Sequence, residues 1–333
     1  MRAVKFYGPG KVGLEDIPVP VPRSAEALVK IKYGGICGSD LHIFRQGMFV
    51  AKLGETMGHE FSGAVVSAPP SSGLSPGDLV VGDPRVPCGT CAACIAGDTH
   101  RCSSLGFIGE VSPGAFAGYL AIAPEKLVTL KGGTDPAQAA LAEPLAVAVH
   151  ACRRIITAAG SGNVLVLGAG PIGLLMAYLF KNVYAVKRVG VFEIDPFRLG
   201  KAKEAGADER SADIESLSGQ YSCLVDAVGV ETVLNKAIGA AAPGGCVFIS
   251  AIYERTPQTD INTLVSKEMT LVGNNAYSFD DLKEAAALIG SGKYDFRWLV
   301  TSIMSAEEAA RGFELLTGKE KRDLKILLRF EGE

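Results

Sequence analysis

Short apolar runs alternate with segments of helical spacing in the middle of the chain. The apolar runs predict strands at residues 163–168, 188–193, 222–227, 246–251 and 269–273, with helices between them. Strands that alternate with helices form a parallel sheet with crossover helices. The pattern therefore predicts an α/β domain with a doubly wound parallel sheet.

The pattern on either side of this region is different. Residues 1 to about 135 are short alternating segments broken by Gly and Pro, which predicts a compact β-rich region with few helices. An Ala- and Leu-rich helix is predicted from Pro136 to Thr157. After Tyr277 we expect helices over 280–289 and 306–317 and a last strand over 325–330 that returns to the first domain. The predicted boundaries are 1–145 with 278–333 for one domain and 146–277 for the other.

Composition narrows the class of protein. The chain has 333 residues, 48% of them hydrophobic, and a formal net charge of −3, which argues against a nucleic-acid-binding surface. The first residues contain no apolar targeting segment, and no uninterrupted apolar stretch reaches the roughly 18 residues that would cross a membrane. We therefore expect a cytoplasmic protein with neither nucleic acid nor membrane as a partner.

A glycine-rich turn follows the first strand of the α/β region. Gly168, Gly170 and Gly173 form the pattern Gly-x-Gly-x-x-Gly, with Pro171 and Ile172 at the predicted start of a helix. Such a turn brings backbone N–H groups to a pyrophosphate. Glu193 ends the next apolar run, where a carboxylate would accept the ribose hydroxyls of an adenosine. A turn that merely packs a helix would leave this acid unexplained.

The charge of Glu193 also indicates which dinucleotide is bound. A 2′-phosphate would meet the carboxylate directly, so the sequence favours NAD over NADP. Arg198, five residues later, is the counter-argument because its guanidinium could reach a phosphate.

Four of the eight cysteines lie close together in a loop rich in Gly and Pro. The spacing Cys-x2-Cys-x2-Cys-x7-Cys predicts tetrahedral coordination of zinc, and four thiolates leave no open position, so this zinc would be structural. An iron–sulfur cluster and a nucleic-acid-binding zinc ribbon are the alternatives. The candidate ligands are Cys88, Cys91, Cys94 and Cys102.

A second, dispersed group of metal-binding residue types lies in the β-rich region. Cys37, His59 and Glu60 offer sulfur, nitrogen and oxygen ligands, a mixture that suits a zinc ion with a position open to water or substrate. Glu143 is a further acid in an apolar helical stretch. On spacing alone, a buried Cys, a surface His and a solvated Glu explain the group equally well, and Glu143 could be a first-turn acid of a helix.

Taken together, these motifs resemble the zinc-dependent medium-chain dehydrogenases over essentially the whole chain, and most closely the branch of polyol (sorbitol-like) and threonine dehydrogenases. One departure is Gly118, where many relatives have Glu. The resemblance rests on the order and spacing of Cys37-Gly-Ser39-Asp40-x-His42, Gly58-His59-Glu60, the cysteine loop, residues 114–117, Glu143-Pro144 and the glycine turn.

The resemblance implies a GroES-like catalytic domain, a Rossmann-type domain and two zinc ions per chain. It implies that Cys37, His59 and Glu60 hold the catalytic zinc, with Glu143 as an occasional ligand or a partner of the zinc-bound water. Ser39 would pass the substrate proton toward the ribose and His42, and Asp40 would orient the His59 ring.

The expected reaction is hydride transfer from a secondary hydroxyl of a polyol to NAD. L-Threonine 3-dehydrogenase and butanediol dehydrogenase activities are the alternatives within the same class. A catalytically silent nucleotide-binding module is a distant alternative from another class. By analogy, we expect a homodimer or homotetramer.

Overall fold

The structure is a computed structural model that describes residues 1–160, 162–318, 320 and 322–330. The chain forms two compact units. Unit 1 contains Met1–Ala146 together with the described residues from Ser278 onward, and unit 2 contains Val147–Tyr277. None of the helices in the described part of the chain is long and apolar enough to cross a membrane.

The elements are numbered here in chain order. The strands are β1 (Arg2–Gly8), β2 (Lys11–Asp16), β3 (Ala27–Gly35), β4 (Glu60–Ser67), β5 (Leu79–Gly82), β6 (Arg85–Val86), β7 (Gly106–Phe107), β8 (Tyr119–Ile122), β9 (Leu127–Thr129), β10 (Asn163–Leu167), β11 (Arg188–Phe192), β12 (Glu209–Ser211), β13 (Cys223–Asp226), β14 (Cys246–Ile249), β15 (Thr270–Gly273), β16 (Val300–Ser305) and β17 (Lys325–Arg329). The helices are α1 (Gly38–Gln46), α2 (Ala92–Ile95), α3 (Pro136–Ala139), α4 (Ala142–Ala159), α5 (Pro171–Asn182), α6 (Pro196–Glu204), α7 (Glu231–Ala240), α8 (Ile261–Ser266), α9 (Phe279–Gly290) and α10 (Ala309–Thr317).

Unit 1 is built on a mixed sheet in the order β16-β17-β3-β4-β5-β9, with β8 also paired to β3. Alternate residues of β3 are buried, as expected for a strand with one face on a core. That core includes Ile31, Phe61 and Phe116. The prediction that the last strand returns to the first domain is confirmed, because β17 pairs with β3.

Unit 2 contains the predicted parallel sheet, in the order β12-β11-β10-β13-β14-β15. All of its registered strand pairs are parallel. Strand β10 is almost wholly buried, which its continuous apolar sequence requires when helices cover both faces of a sheet. From the central pair, the chain adds strands outward on both sides, as β10-β11-β12 and as β13-β14-β15. This is the doubly wound arrangement.

One predicted helix is divided in the structure. The apolar spacing over 136–157 predicts a single helix, whereas the chain forms α3, a break at Ala140–Leu141, and then α4. Periodicity does not reveal the break because the residues around it, Ala139 to Ala142, are fully buried and continue the apolar pattern. The break places Glu143 in the first turn of α4.

Candidate metal centres and cofactor turn

Three strand ends of the unit 1 sheet bring the dispersed candidate residues together. β4 and β17 both run antiparallel to β3, so the beginnings of these two strands lie beside the end of β3. Gly35 pairs with Glu60 in this register. Cys37 follows β3, His59 precedes β4, and the strand pairing therefore places residues from separate parts of the sequence at one edge of the sheet.

The ligand atoms of Cys37, His59 and Glu60 all lie within 4.8 Å of one another. A thiolate, an imidazole and a carboxylate at this separation form a donor set that fits a zinc ion with an open position. Both His59 and Glu60 are buried, which would exclude bulk water from two of the three ligands.

Two residues of α1 face the His59 ring. Ser39 Oγ lies 3.5 Å from His59 Nε2, and Asp40 Oδ1 lies 3.8 Å from His59 Nδ1. The other oxygen of Asp40 accepts a hydrogen bond from the Cys37 N–H at 2.9 Å and so connects the helix start to the ligand set. Burial opposes the charged form of His59, but the Asp40 and Cys37 charges outweigh it and raise the pKa of this imidazole well above its usual value. His42 is half-buried on the same helix, three residues after Ser39.

Lys325 is the residue that sequence reasoning missed at this site. It opens β17 and is 2% exposed, and its Nζ donates hydrogen bonds to Glu60 Oε1 at 2.7 Å and Oε2 at 2.8 Å and to the Ile36 carbonyl at 3.0 Å. Burial acts to lower the pKa of Lys325, but the Glu60 charge outweighs it and raises this pKa. The sequence signal was a lysine at the head of the apolar strand Lys325-Ile-Leu-Leu, where a charge needs a partner.

Two glycines are required by the space around the cluster. A Cβ on Gly35 would lie 2.1 Å from Glu60 Oε2. Gly58, directly before His59, has φ +92°, and a Cβ there would lie 2.2 Å from the Phe116 ring. Gly35 therefore leaves room for the Glu60 carboxylate, and Gly58 leaves room for the Phe116 ring beside His59.

Glu143 is placed near the cluster but outside the group of three. It is buried at the start of α4 and interacts electrostatically with both His59 and Lys325. Its role as a ligand or as a partner of bound water stays a prediction.

The four cysteines of the loop come together around α2. All four sulfur atoms lie within 4.8 Å of one another, with Cys88 Sγ 3.9 Å from Cys94 Sγ. Backbone N–H groups point at the sulfur atoms: Cys91 N–H donates to Cys88 Sγ at 3.4 Å, and Cys88 N–H donates to Cys102 Sγ at 3.2 Å. This four-sulfur set fits tetrahedral zinc without an open position.

The electrostatics of the loop also suit a bound cation. Hydrogen bonds from the backbones of Thr90 and Cys91 lower the pKa of the Cys88 thiol to about 6. Desolvation and the neighbouring Cys91 thiol raise the pKa of Cys94 to about 12. Thiolates this close repel one another, so all four ionise together only when a positive ion lies between them.

The glycine turn of unit 2 has the geometry that its sequence predicts. Gly168 has φ +96°, and a Cβ on Gly173 would lie 2.0 Å from the Gly168 carbonyl oxygen. Gly170 caps α5, Pro171 is its first residue, and space is open around the position of a Gly170 Cβ. The first turn of α5 therefore presents free N–H groups next to an open surface, which suits a phosphate.

Glu193 lies directly against this turn. Its Oε2 accepts a hydrogen bond from the Ala169 N–H at 2.9 Å, and its Oε1 accepts one from the Asp195 N–H at 2.9 Å. Each carboxylate oxygen has a second lone pair, so Glu193 can still accept hydroxyl groups. Arg198 is half-buried in α6, and its Nε has no hydrogen-bond partner among the described residues.

Comparison with known proteins agrees with both units. The alcohol dehydrogenase GroES-like domain family matches residues 23–132, and the zinc-binding dehydrogenase family matches residues 171–291. A sorbitol dehydrogenase of Halalkalibacterium halodurans is 31% identical to the chain, over 97% of this chain and 96% of the relative.

Solved structures share the whole architecture. The 2R,3R-butanediol dehydrogenase of Bacillus subtilis superposes with a TM-score of 0.87 at 29% identity, over 98% of this chain and 99% of that one. A protein of Sinorhizobium meliloti 1021 that is assigned as a zinc-binding dehydrogenase, solved with NADP bound, superposes with a TM-score of 0.89 at 26% identity, over 98% of both chains. The chain belongs to the zinc-dependent medium-chain dehydrogenases, oxidoreductases that combine a GroES-like unit with a Rossmann-type unit and use zinc and a nicotinamide cofactor.

Proposed function

We propose that this protein oxidises a secondary hydroxyl group of a sugar alcohol or similar polyol and that NAD accepts the hydride. The observation that carries the proposal is the convergence of Cys37, His59 and Glu60 within 4.8 Å, with the Ser39 hydroxyl 3.5 Å from the His59 ring. The sorbitol and butanediol dehydrogenase relatives, which bear the names of substrates with neighbouring hydroxyl groups, support the substrate class.

Cys37, His59 and Glu60 are proposed to hold the catalytic zinc. When bound there, zinc would supply the Lewis acidity that lowers the pKa of the substrate hydroxyl. Asp40 would fix the direction of the His59 ring, and the Ser39 hydroxyl would receive the substrate proton and pass it on toward His42. Glu143 would either be a ligand of this zinc in one state or hydrogen-bond the water bound to it.

A second zinc, held by Cys88, Cys91, Cys94 and Cys102, is proposed to be structural. Its four sulfur donors leave no place for substrate. None of the cysteines in the described part of the chain forms a disulfide. Thiolate ligation of this kind persists in a reducing compartment, and this supports the cytoplasm as the location.

NAD is proposed over NADP because of Glu193. The carboxylate is held against the glycine turn by the Ala169 and Asp195 N–H groups, so a 2′-phosphate would bring a second negative charge next to a fixed one. Two observations favour NADP instead: one relative was solved with NADP bound, and Arg198 Nε has no hydrogen-bond partner among the described residues.

Replacing Glu193 with Ala tests the cofactor preference. We expect the KM for NAD to rise roughly tenfold, the effect of losing hydrogen bonds to a charged group, while the KM for NADP falls. The ratio of kcat/KM values for the two cofactors is the measurement. An unchanged ratio would show that Glu193 does not choose the cofactor.

A substrate panel tests the activity itself. Sorbitol, xylitol, galactitol, L-threonine and 2R,3R-butanediol are assayed by the absorbance of the reduced cofactor. We expect the highest kcat/KM for a polyol. Higher values for threonine or butanediol would move the assignment to those alternatives, and no turnover of any alcohol by the zinc-loaded protein would favour a silent nucleotide-binding module.

The outer edge of the unit 2 sheet supports a homo-oligomer. β15 ends the sheet, so one side of its backbone is unpaired, and Leu271 on this strand is 41% exposed. Two apolar residues of the preceding helix, Ile261 and Val265, are also exposed. We propose that β15 pairs antiparallel with β15 of a second copy, as a two-fold axis allows. Leu271→Lys should convert the assembly to smaller species in size-exclusion chromatography, and an unchanged elution volume would argue against this edge.

A further inference from the structure

Glu110 is a buried acid that none of the roles above uses. Its residue is only 7% exposed, although it lies in a turn directly after β7. It lies far in sequence from the proposed zinc ligands Cys37, His59 and Glu60. A carboxyl group withdrawn from water without a solvating partner costs free energy, so its place in the fold needs an explanation.

The turn that carries Glu110 packs directly on the segment of the proposed ligand His59. The Phe107 ring meets the His59 ring edge-on, with centroids 5.8 Å apart. Gly109 approaches so closely that a Cβ there would lie 2.7 Å from the Gly58 nitrogen. Glu110 is the next residue, and its carbonyl accepts a hydrogen bond from the Ala51 N–H at 2.9 Å. Glu110 thus lies between the His59 segment and the loop that follows α1.

The charged groups that act on the Glu110 carboxyl belong to the proposed zinc site or adjoin it. The groups that act on its carboxyl are His59 and Asp40, together with a hydrogen bond from the Phe107 backbone. No Lys or Arg in the described part of the chain forms an ion pair with it. Burial is the largest influence and raises the pKa of Glu110 to about 7, with a smaller opposing effect of His59.

Two other buried acids of this region, Glu60 and Glu55, have lysine partners. Glu60 is held by Lys325 at 2.7 Å, and Glu55 lies 3.5 Å from Lys52. The carboxylates of Glu60 and Glu55 are therefore each paired with a lysine. Glu110 has hydrogen-bonding capacity left, next to the proposed zinc site, and a ligand with hydroxyl groups could use it.

We propose that the Glu110 carboxyl hydrogen-bonds a second hydroxyl group of the substrate, on a carbon near the one that is oxidised, and so selects polyols over alcohols with one hydroxyl. This inference rests on the proposed polyol activity. A site that offers a buried hydrogen-bonding group rejects an analogue that lacks the matching hydroxyl, because the protein group is then left unpaired.

The test compares two substrates in three variants. The polyol with the highest kcat/KM in the wild type is paired with 2-butanol, which has only the reacting hydroxyl. Glu110→Leu should lower kcat/KM for the polyol by roughly tenfold to a hundredfold, mainly through KM, and change kcat/KM for 2-butanol by less than about threefold. Glu110→Gln, which keeps a hydrogen-bonding group of the same size, should recover part of the loss.

Glu55→Gln is the matched control, because it neutralises a buried acid of the same region that already has a cation partner. It should leave the ratio of the two kcat/KM values within about twofold of the wild type. Zinc content and the midpoint of urea unfolding should be unchanged in Glu110→Gln, so that a change in the ratio reports on recognition and not on folding.

Two results would overturn the inference while the polyol activity stands. An unchanged ratio in Glu110→Leu and Glu110→Gln would show that the carboxyl does not contact substrate. An equal loss for both substrates, or a loss of zinc, would show that Glu110 acts through the metal site. A wild type that oxidises no polyol would instead refute the proposed function, and this inference with it.

Discussion

The two groups of proposed zinc-binding residues in unit 1 are built in opposite ways. The cysteine lobe takes its four ligands, Cys88, Cys91, Cys94 and Cys102, from one loop, and it arranges them with its own backbone N–H groups. The cluster of Cys37, His59 and Glu60 takes its ligands from two separate segments and relies on β3, β4 and β17 for their meeting. The first set is local, and the second is a product of the tertiary fold.

The difference also appears in how charge is balanced. The lobe is at the surface, where Cys88 is exposed, and the groups that lower the pKa of the Cys88 thiol belong to the same loop: the backbones of Thr90 and Cys91, the Thr90 hydroxyl and the Cys102 thiol. In the Cys37 cluster the acid Glu60 is buried, and the fold supplies the buried cation Lys325 from the far end of the chain. The buried acid of the Cys37 cluster therefore depends on a residue from a distant part of the chain, whereas the cysteine lobe is arranged by residues of its own loop.

Breaking the Lys325–Glu60 pair should have the largest effect. In the zinc-free protein, Lys325→Met would leave the Glu60 carboxylate buried without a cation, and we expect the free energy of unfolding to fall by about 3–5 kcal/mol. Urea unfolding followed by far-UV circular dichroism measures this loss.

The double variant Lys325→Met/Glu60→Gln is the control for that experiment. It removes both charges, so most of the lost stability should return, since replacing both members of a buried pair is close to neutral. A single variant as stable as the wild type would mean that the pair does not anchor the site.

Removing a ligand from the cysteine lobe should have a smaller and more local effect. We expect Cys91→Ser to lower unfolding free energy by about 2 kcal/mol and to expose the loop around α2 to proteolysis. The kcat of the protein that remains folded should change by less than about threefold. Limited proteolysis and steady-state kinetics are the measurements. A large fall in kcat at unchanged stability would contradict a structural role.

Crowding the Glu60 carboxylate should have the smallest effect of the three. A methyl group at Gly35 would lie 2.1 Å from Glu60 Oε2, so Gly35→Ala should cost about 1–2 kcal/mol of unfolding free energy and weaken zinc binding at the Cys37 cluster alone. Gly38→Ala is the matched control, because nothing lies within 4 Å of a Cβ there. Equal zinc affinities in the two variants would show that this glycine does not position Glu60.

The same contrast explains what the sequence could predict. The cysteine spacing and the glycine turn were readable because each lies within one short segment, and five of the six strands of the parallel sheet were readable from continuous apolar runs. The sixth strand, β12, was missed because its three residues, Glu209–Ser211, contain no apolar run. The ladder that joins β3, β4 and β17 was not readable, because strand pairing is set by long-range packing.

Lys325 and Glu110 show where local patterns stop being informative. Lys325 is 265 residues from its partner Glu60, and no spacing rule connects them. Glu110 is an ordinary polar residue of a Gly-containing loop until the fold packs that loop on His59. The division of the helix predicted over 136–157 has the same cause, since buried residues continue the apolar pattern across the break.

The most direct test of the account is the zinc content of three proteins, measured by elemental analysis after gel filtration in metal-free buffer. We predict about two zinc ions per chain in the wild type, about one in Cys37→Ser and about one in Cys91→Ser. The Cys37→Ser protein should be folded, with kcat reduced at least a hundredfold. One zinc ion in the wild type that Cys37→Ser retains in full would contradict the proposal that Cys37, His59 and Glu60 form a metal centre.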